Sequence, residues 1–192
     1  LPLFFTGWRG KKRLYTLFHF SSIGAGFMFV EIIFIQQFTL YFGHPVYSAS
    51  AVLCGMLICS GCGSYISSKL KINNKSIIII LLIIIACLIS YAFILTALIK
   101  TTINLPFIFK ILVSVLIISL PAFFMGMPFP LGLKILDKYN KDMLPWAWGI
   151  NGFMSVISTV LATIIAVEAG YFGVMILAGV FYTFTLTANI FR

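Results

Sequence analysis

The chain has 192 residues, of which 61% are hydrophobic and 9% are charged, and its mean hydropathy is +1.13. A soluble domain is nearer half apolar and a quarter charged, so the composition excludes an ordinary soluble protein and predicts a multi-pass membrane protein in the lipid bilayer. The net charge of +9 does not indicate nucleic acid as a partner, because the cations lie in predicted loops, as the positive-inside rule describes.

Residues 1–13 form a basic flank that ends in Arg9, Lys11, Lys12 and Arg13. Residues 14–192 predict an all-α domain, since this length allows about six membrane-spanning helices of roughly 20 residues. The predicted spans are 14–42, 46–70, 76–99, 107–127, 145–167 and 171–191. Because the first residue is Leu1, we expect a processed product or the C-terminal part of a longer protein.

The first span contains the strongest candidate for a functional residue. Glu31 lies inside an apolar run and is followed by Gln36 and Gln37. An acidic side chain within a span costs about 2.5–3.5 kcal/mol on insertion scales and marks a functional site by default. Glu31 is therefore either a proton, cation or ligand site or a hydrogen-bonded residue that fixes helix packing, and the sequence leaves both readings open.

The second and third spans differ in the size of their side chains. Small residues are concentrated in the second span, including Gly55, Gly61 and Gly63, which predicts a helix inside the bundle. Cys59 and Cys62 have the spacing of half a metal or redox site but lie among these small residues, so packing is the preferred interpretation. The third span carries an Ile-rich run over 77–85, which predicts exposure to lipid.

Prolines and glycines are concentrated between the fourth and fifth spans. An interior proline removes a backbone donor and clashes with the preceding turn, so this stretch predicts a helix break, a short surface helix over 131–139 and re-entry into the membrane. The predicted junction residues are Pro121, Gly126, Pro128, Pro130, Gly132, Pro145, Trp146, Trp148, Gly149 and Gly152. Asn151 follows as a candidate polar site that satisfies backbone groups freed at the break.

The distribution of Lys and Arg orients the predicted bundle. With the N-terminus in the cytoplasm, the outer side carries only Lys100 and Lys110. The other eleven cations then lie on the cytoplasmic side, at Arg9, Lys11, Lys12, Arg13, Lys69, Lys71, Lys75, Lys134, Lys138, Lys141 and Arg192. This asymmetry predicts both termini in the cytoplasm and, for a bacterial protein, insertion in the plasma (inner) membrane.

The sequence contains no recognisable catalytic motif. It has no glycine-rich nucleotide loop, no nucleophile elbow and no zinc-protease pair, and its two histidines, His19 and His44, do not form a haem-ligating set. We therefore predict no cofactor, no metal and no catalytic residue within these residues.

Five stretches together resemble the transmembrane region of bacterial membrane proteins related to spermidine synthase. They cover nearly the whole chain and comprise residues 26–31, the turn 43–47, the patch 60–64, the proline-rich stretch 125–133 and the stretch 145–152. The resemblance implies a soluble aminopropyltransferase-like domain, with a methyltransferase-like fold, before Leu1. Any polyamine chemistry would belong to that domain, and this chain would anchor or serve it.

Two other readings remain open at this stage. One half of a major facilitator transporter is similar in its six spans and glycine-rich second helix, although Ser67 stands where that family has an acidic residue. In that reading the chain is a transport module for an amine or a proton-coupled substrate, it uses Glu31, and it needs a partner half, for example as a homo-oligomer. The remaining reading is a structural subunit of a larger membrane complex.

Overall fold

The computed structural model describes residues 13–70 and 74–190, and every element in these ranges is helical. Residues 1–12 of the predicted basic flank, residues 71–73 of the predicted loop after the second span, and residues 191–192 at the C-terminal end lie outside the described residues. The helices are α1 (Arg13–Phe42), α2 (Pro45–Lys69), α3 (Asn74–Thr102), α4 (Phe107–Met125), α5 (Pro128–Tyr139) and α6 (Leu144–Ile190), with a 3₁₀ turn at Lys141–Met143.

Within the described ranges, five helical segments are long and apolar enough to cross a membrane, as expected of a membrane protein. They correspond to α1, α2, α3, α4 with α5, and α6. The sequence predicts six separate spans, and this count is not reached because the expected turn at 168–170 is not a loop. Helical structure continues on both sides of Gly170, whose φ of 66° and ψ of −173° only a glycine adopts without strain.

The two parts of α6 nevertheless return to the same place on α1. Asn151 donates from Nδ2 to the carbonyl of Phe20 over 3.1 Å, and Asn189 Nδ2 lies 2.9 Å from Nδ1 of His19. His19 and Phe20 are neighbours, whereas a straight helix of the 47 residues of α6 would be about 70 Å long. The chain therefore folds back at Gly170, and both parts of α6 pack along α1.

Burial corrects the predicted places of the second and third spans. Of the most apolar 18 residues in each segment, 61% are buried in α1, 39% in α3 and 22% in α2. One face of α3, including Leu81, Ile84 and Leu88, is buried, whereas Ile79, Leu82 and Ile83 on the other face are exposed. The prediction that α2 lies inside the bundle was wrong, because its small residues bury only the sides that touch α1 and α4. The exposure predicted for the Ile-rich run of α3 holds for one face of that helix and not for the other.

Pro121 lies inside α4 without ending it. A proline has no N–H to bond the carbonyl four residues earlier, which here belongs to Ile117. The hydroxyl of Tyr91 on α3 donates to that carbonyl over 2.8 Å, and Tyr171 in turn donates to the carbonyl of Tyr91 over 2.8 Å. The hydroxyl of Tyr91 thus supplies the missing donor from a neighbouring helix, which keeps the Pro121 segment helical in an apolar environment.

Two lysines cap the C-terminal ends of other helices. Lys134 on α5 donates from Nζ to the carbonyls of Ser67, Ser68 and Leu70 at the end of α2. Lys110 on α4 donates to the carbonyl of Tyr41 at the end of α1 over 3.2 Å. Cations at these positions satisfy unpaired carbonyls and match the negative end of the helix dipole. We call the end of the bundle that carries Lys134 the basic end.

Candidate functional site

A cavity of about 370 Å³ opens between α1, α2, α6 and the segment that joins α4 to α5. We call it the junction cavity, and it extends from the middle of the bundle towards the basic end. Its volume falls in the range of about 300–1,000 Å³ that is usual for small-molecule sites. Its lining residues carry no formal charge, and they combine apolar side chains with the polar groups of Ser60, Ser64, Asn151 and Ser155.

One wall of the junction cavity is the close contact between α1 and the first part of α6. A Cβ atom added at Gly24 would lie 2.7 Å from the carbonyl oxygen of Asn151 and 3.1 Å from Oγ of Ser155. The hydroxyl of Ser155 donates to the carbonyl of Asn151 over 2.9 Å. Because the amide nitrogen of Asn151 is engaged by α1, its oxygen is the group available to accept a hydrogen bond from a ligand.

The opposite wall forms where α2 crosses α4 with their backbones in contact. A Cβ at Gly63 would overlap the carbonyl of Phe123, and a Cβ at Gly126 would overlap the carbonyl of Ser60. Glycine at both positions permits this approach, as in other tightly packed membrane helices. Gly61 lies on the rim of the junction cavity, and no atom lies within 4 Å of the position of an added Cβ there.

The floor of the junction cavity is the α4–α5 break and the aromatic residues around it. Phe129 lines the cavity, and its ring packs edge-to-face against Phe20 at 5.4 Å and against Trp148 at 4.7 Å. These three rings come from α1, α5 and α6. They hold the break in position, so Phe129 and Pro130 present a fixed apolar surface to the cavity.

Glu31 lies one helical turn beyond Phe27, a residue that lines the junction cavity. Since residues four apart share a face of a helix, Glu31 continues the cavity-lining face of α1 towards the middle of the bundle. Glu31, Gln36 and Gln37 are all partly buried, and none forms a side-chain hydrogen bond within the described residues. Glu31 is not itself a lining residue of the junction cavity; it lies one helical turn beyond the lining on α1, and both glutamines lie farther along the same helix.

Asn151 does line the junction cavity, but its predicted role at the helix break was wrong. Its amide donates to Phe20 on α1 and not to a carbonyl of the proline-rich stretch. The side chain that reaches the break is His19, whose Nε2 lies 3.3 Å from the carbonyl of Pro128. That His19 and not Asn151 contacts the break follows from tertiary packing, because His19 and Pro128 are more than one hundred residues apart in sequence.

The predicted junction residues separate into two groups. Gly126 and Pro130 line the cavity, Gly132 packs against His19, and Pro128 begins α5. Pro145 and Trp148 at the start of α6 are exposed, Trp148 contacts Phe129, and Trp146 is partly buried.

Gly149 and Gly152 were predicted to shape the junction, but both are exposed and an added Cβ would meet no atom within 4 Å. They point away from α1, because α6 packs through Asn151, Ser155 and Ser158 instead.

A buried polar cluster at the basic end was missed at the sequence level. Asn189 donates from Nδ2 to Nδ1 of His19 and to the carbonyl of Thr185, and its Oδ1 accepts a hydrogen bond from Tyr15. Because an amide nitrogen only donates, Nδ1 of His19 is the acceptor and Nε2 carries the proton that faces Pro128. Isolated polar residues in apolar spans were the available signal, but their pairing across the bundle is not visible in the sequence.

The cysteines and the other residues that commonly bind metals do not form a metal site in the described part of the chain. No group of three or more His, Cys, Asp or Glu side chains is placed to hold a metal ion within residues 13–70 and 74–190. Cys59 and Cys62 instead border a groove on the outer surface between α2 and α4, beside Ser119, Leu120 and Phe123. The junction cavity, in contrast, has the volume and the mixed apolar and polar lining of a small-molecule site.

A comparison with protein families, with curated proteins and with solved structures finds no match for this chain.

Proposed function

We propose that the chain is a membrane domain with six crossings and both ends on the cytoplasmic side of a bacterial plasma membrane. The return of α6 to α1 supports a sixth crossing, since Asn151 and Asn189 reach neighbouring residues of α1. The charge distribution supports the orientation, with Lys134 and Lys141 near the basic end and Lys100 and Lys110 near the opposite end.

Labelling of single cysteines tests this topology in a variant without the four native cysteines. We expect Glu168→Cys and Lys100→Cys to react with a membrane-impermeant maleimide in intact cells. Lys138→Cys should react only after the membrane is permeabilised. If Glu168→Cys also requires permeabilisation while Lys100→Cys does not, α6 does not turn on the outer side and the sixth crossing is wrong.

We further propose that this membrane domain serves a spermidine synthase-like protein by holding a small amine in the junction cavity. One observation carries the proposal: four of the five stretches that support the resemblance meet at this cavity. They contribute Phe27, Ser60, Gly126 and Asn151, among others. The fifth stretch forms the turn between α1 and α2, at the other end of the bundle.

Binding of radiolabelled amines to the protein in nanodiscs tests the site. The wild type should bind at least one amine saturably, after subtraction of the signal from empty nanodiscs. Gly61→Leu should remove this binding because the added side chain fills the cavity, whereas Gly149→Leu should retain it. Both glycines lie in open space, but only Gly61 lines the cavity. The proposal fails if no amine binds or if the two variants behave alike.

The link to a soluble enzyme has a separate test in the gene. An aminopropyltransferase-like domain encoded in the same or the adjacent reading frame would support the anchoring role, and its absence would count against that role. The absence of such a domain would not count against the proposed amine site.

Transport is a second candidate, favoured by the place of Glu31 one helical turn beyond the cavity-lining Phe27 on α1. In this reading the domain resembles one half of a major facilitator transporter and pairs with another half. Liposomes that contain the wild type should accumulate labelled amine faster than those with Glu31→Gln. Equal rates in the two preparations would reject transport through Glu31 and leave a binding or structural role.

A further inference from the structure

We propose that the junction cavity and Glu31 form one site for an amphiphilic monoamine, with the ammonium group at Glu31 and the apolar body between Phe27 and Phe129. The inference rests on the proposed function and narrows its ligand class. It excludes di- and triamines such as spermidine as the preferred ligand, although the resemblance to spermidine synthase-like proteins would suggest them.

The number of available carboxylates carries the argument. The chain has four acidic residues, and all four are in described regions. Asp137 is exposed and pairs with Lys141 at 3.7 Å. Asp142, in the 3₁₀ turn before α6, and Glu168, two residues before Gly170 in α6, are also exposed. Glu31 is the remaining acid, so the cavity region offers one negative charge and can neutralise one ammonium group.

The walls of the junction cavity determine what the rest of the ligand must be. Ile23, Phe27, Leu57, Met125 and Phe129 supply an apolar lining, and the polar groups beside them are neutral. A second ammonium group in this space would be removed from water without a counter-charge, which is costly in an apolar interior. An apolar body would instead replace water on these walls and gain favourable burial.

The polar groups of the cavity define the opposite end of the ligand. The oxygen of Asn151 can accept a hydrogen bond, and the hydroxyl of Ser64 forms no hydrogen bond within the described residues. Both lie towards the basic end, whereas Glu31 lies towards the middle of the bundle. The best ligand therefore carries its single charge at one end and tolerates a neutral hydrogen-bonding group at the other.

Competition binding in nanodiscs of zwitterionic lipid tests the inference, with radiolabelled 2-phenylethylamine as the probe. We expect saturable binding of the probe, and at least about tenfold weaker competition by spermidine and by uncharged 2-phenylethanol. Glu31→Gln should weaken probe binding by at least about tenfold because it removes the counter-charge. Glu31→Asp should retain part of the affinity, and Glu168→Gln should leave it unchanged.

Each contrary result has a distinct meaning. Tighter binding of spermidine than of the probe would overturn the monoamine inference and leave the proposed amine site standing. Equal binding of the alcohol and the probe, or unchanged binding in a Glu31→Gln protein that elutes as a single species in size-exclusion chromatography, would also overturn it. Absence of binding by every amine would overturn both this inference and the proposed function.

Discussion

Replacement of Gly63 by alanine is expected to destabilise the protein by about 3 kcal/mol, at the upper end of the usual cost of overpacking. The added methyl group would overlap the carbonyl of Phe123, a backbone atom that no rotamer change can move away. The helices α2 and α4 would have to separate at their crossing, which would also widen the wall of the junction cavity. Unfolding by SDS in mixed micelles, followed by tryptophan fluorescence, measures the change.

Gly61→Ala is the matched control, because it lies two residues away on the same helix and its added methyl group would meet no atom within 4 Å. We expect a change within about 0.5 kcal/mol for this control. Gly126→Ala should behave like Gly63→Ala, since it faces the carbonyl of Ser60 at the same crossing. Equal stability of the Gly63 and Gly61 variants would contradict the backbone contact between α2 and α4.

Replacement of His19 by leucine is expected to cost about 2–4 kcal/mol, although leucine fills a similar volume. His19 is fully buried and connects three parts of the fold, through Pro128 at the start of α5 and Asn189 near the end of α6. The substitution leaves one Asn189 donor and the Pro128 carbonyl without their partner, and buried groups in that state carry a desolvation penalty. The same SDS unfolding measurement applies.

A double-mutant cycle separates this polar contact from a general loss of packing. His19→Leu and Asn189→Leu together should cost less than the sum of the two single changes, because each removes the partner of the other. His44→Leu, at the exposed turn before α2, serves as the control and should have little effect. Additive costs in the cycle would show that His19 and Asn189 do not depend on each other.

Local sequence patterns predicted the class of this protein and the bounds of most of its helices. Long apolar runs separated by Lys, Asn, Gly and Pro place the ends of α1 to α4 close to the predicted spans, since hydrophobic length and breaker residues act locally. The break before Pro128 is similarly local, because a proline fits the first turn of a helix but not its interior. Pro121 is the exception, and it is tolerated because Tyr91 approaches from another helix.

The site was only partly predictable, for a physical reason that its residues share. Glu31 and Asn151 were candidates because polar groups are costly in an apolar span, and this cost can be read from one residue. Which polar groups form hydrogen bonds with each other cannot be predicted from single residues. His19 reaches Pro128, and Lys134 reaches the end of α2, across sequence distances that only helix packing brings together.

The sequence by itself determined that this is an all-helical membrane protein, with a break after α4 and an acid within α1, because length, hydropathy and proline chemistry operate over a few turns of chain. Only the tertiary structure decided that α1 is the most buried helix, that α3 is more buried than α2 and that α6 folds back along α1. It also decided that four of the five stretches meet at one cavity, one helical turn from Glu31. Side chains of similar hydropathy can face lipid or protein at almost equal cost, so the shapes of the partner helices determine which face is buried.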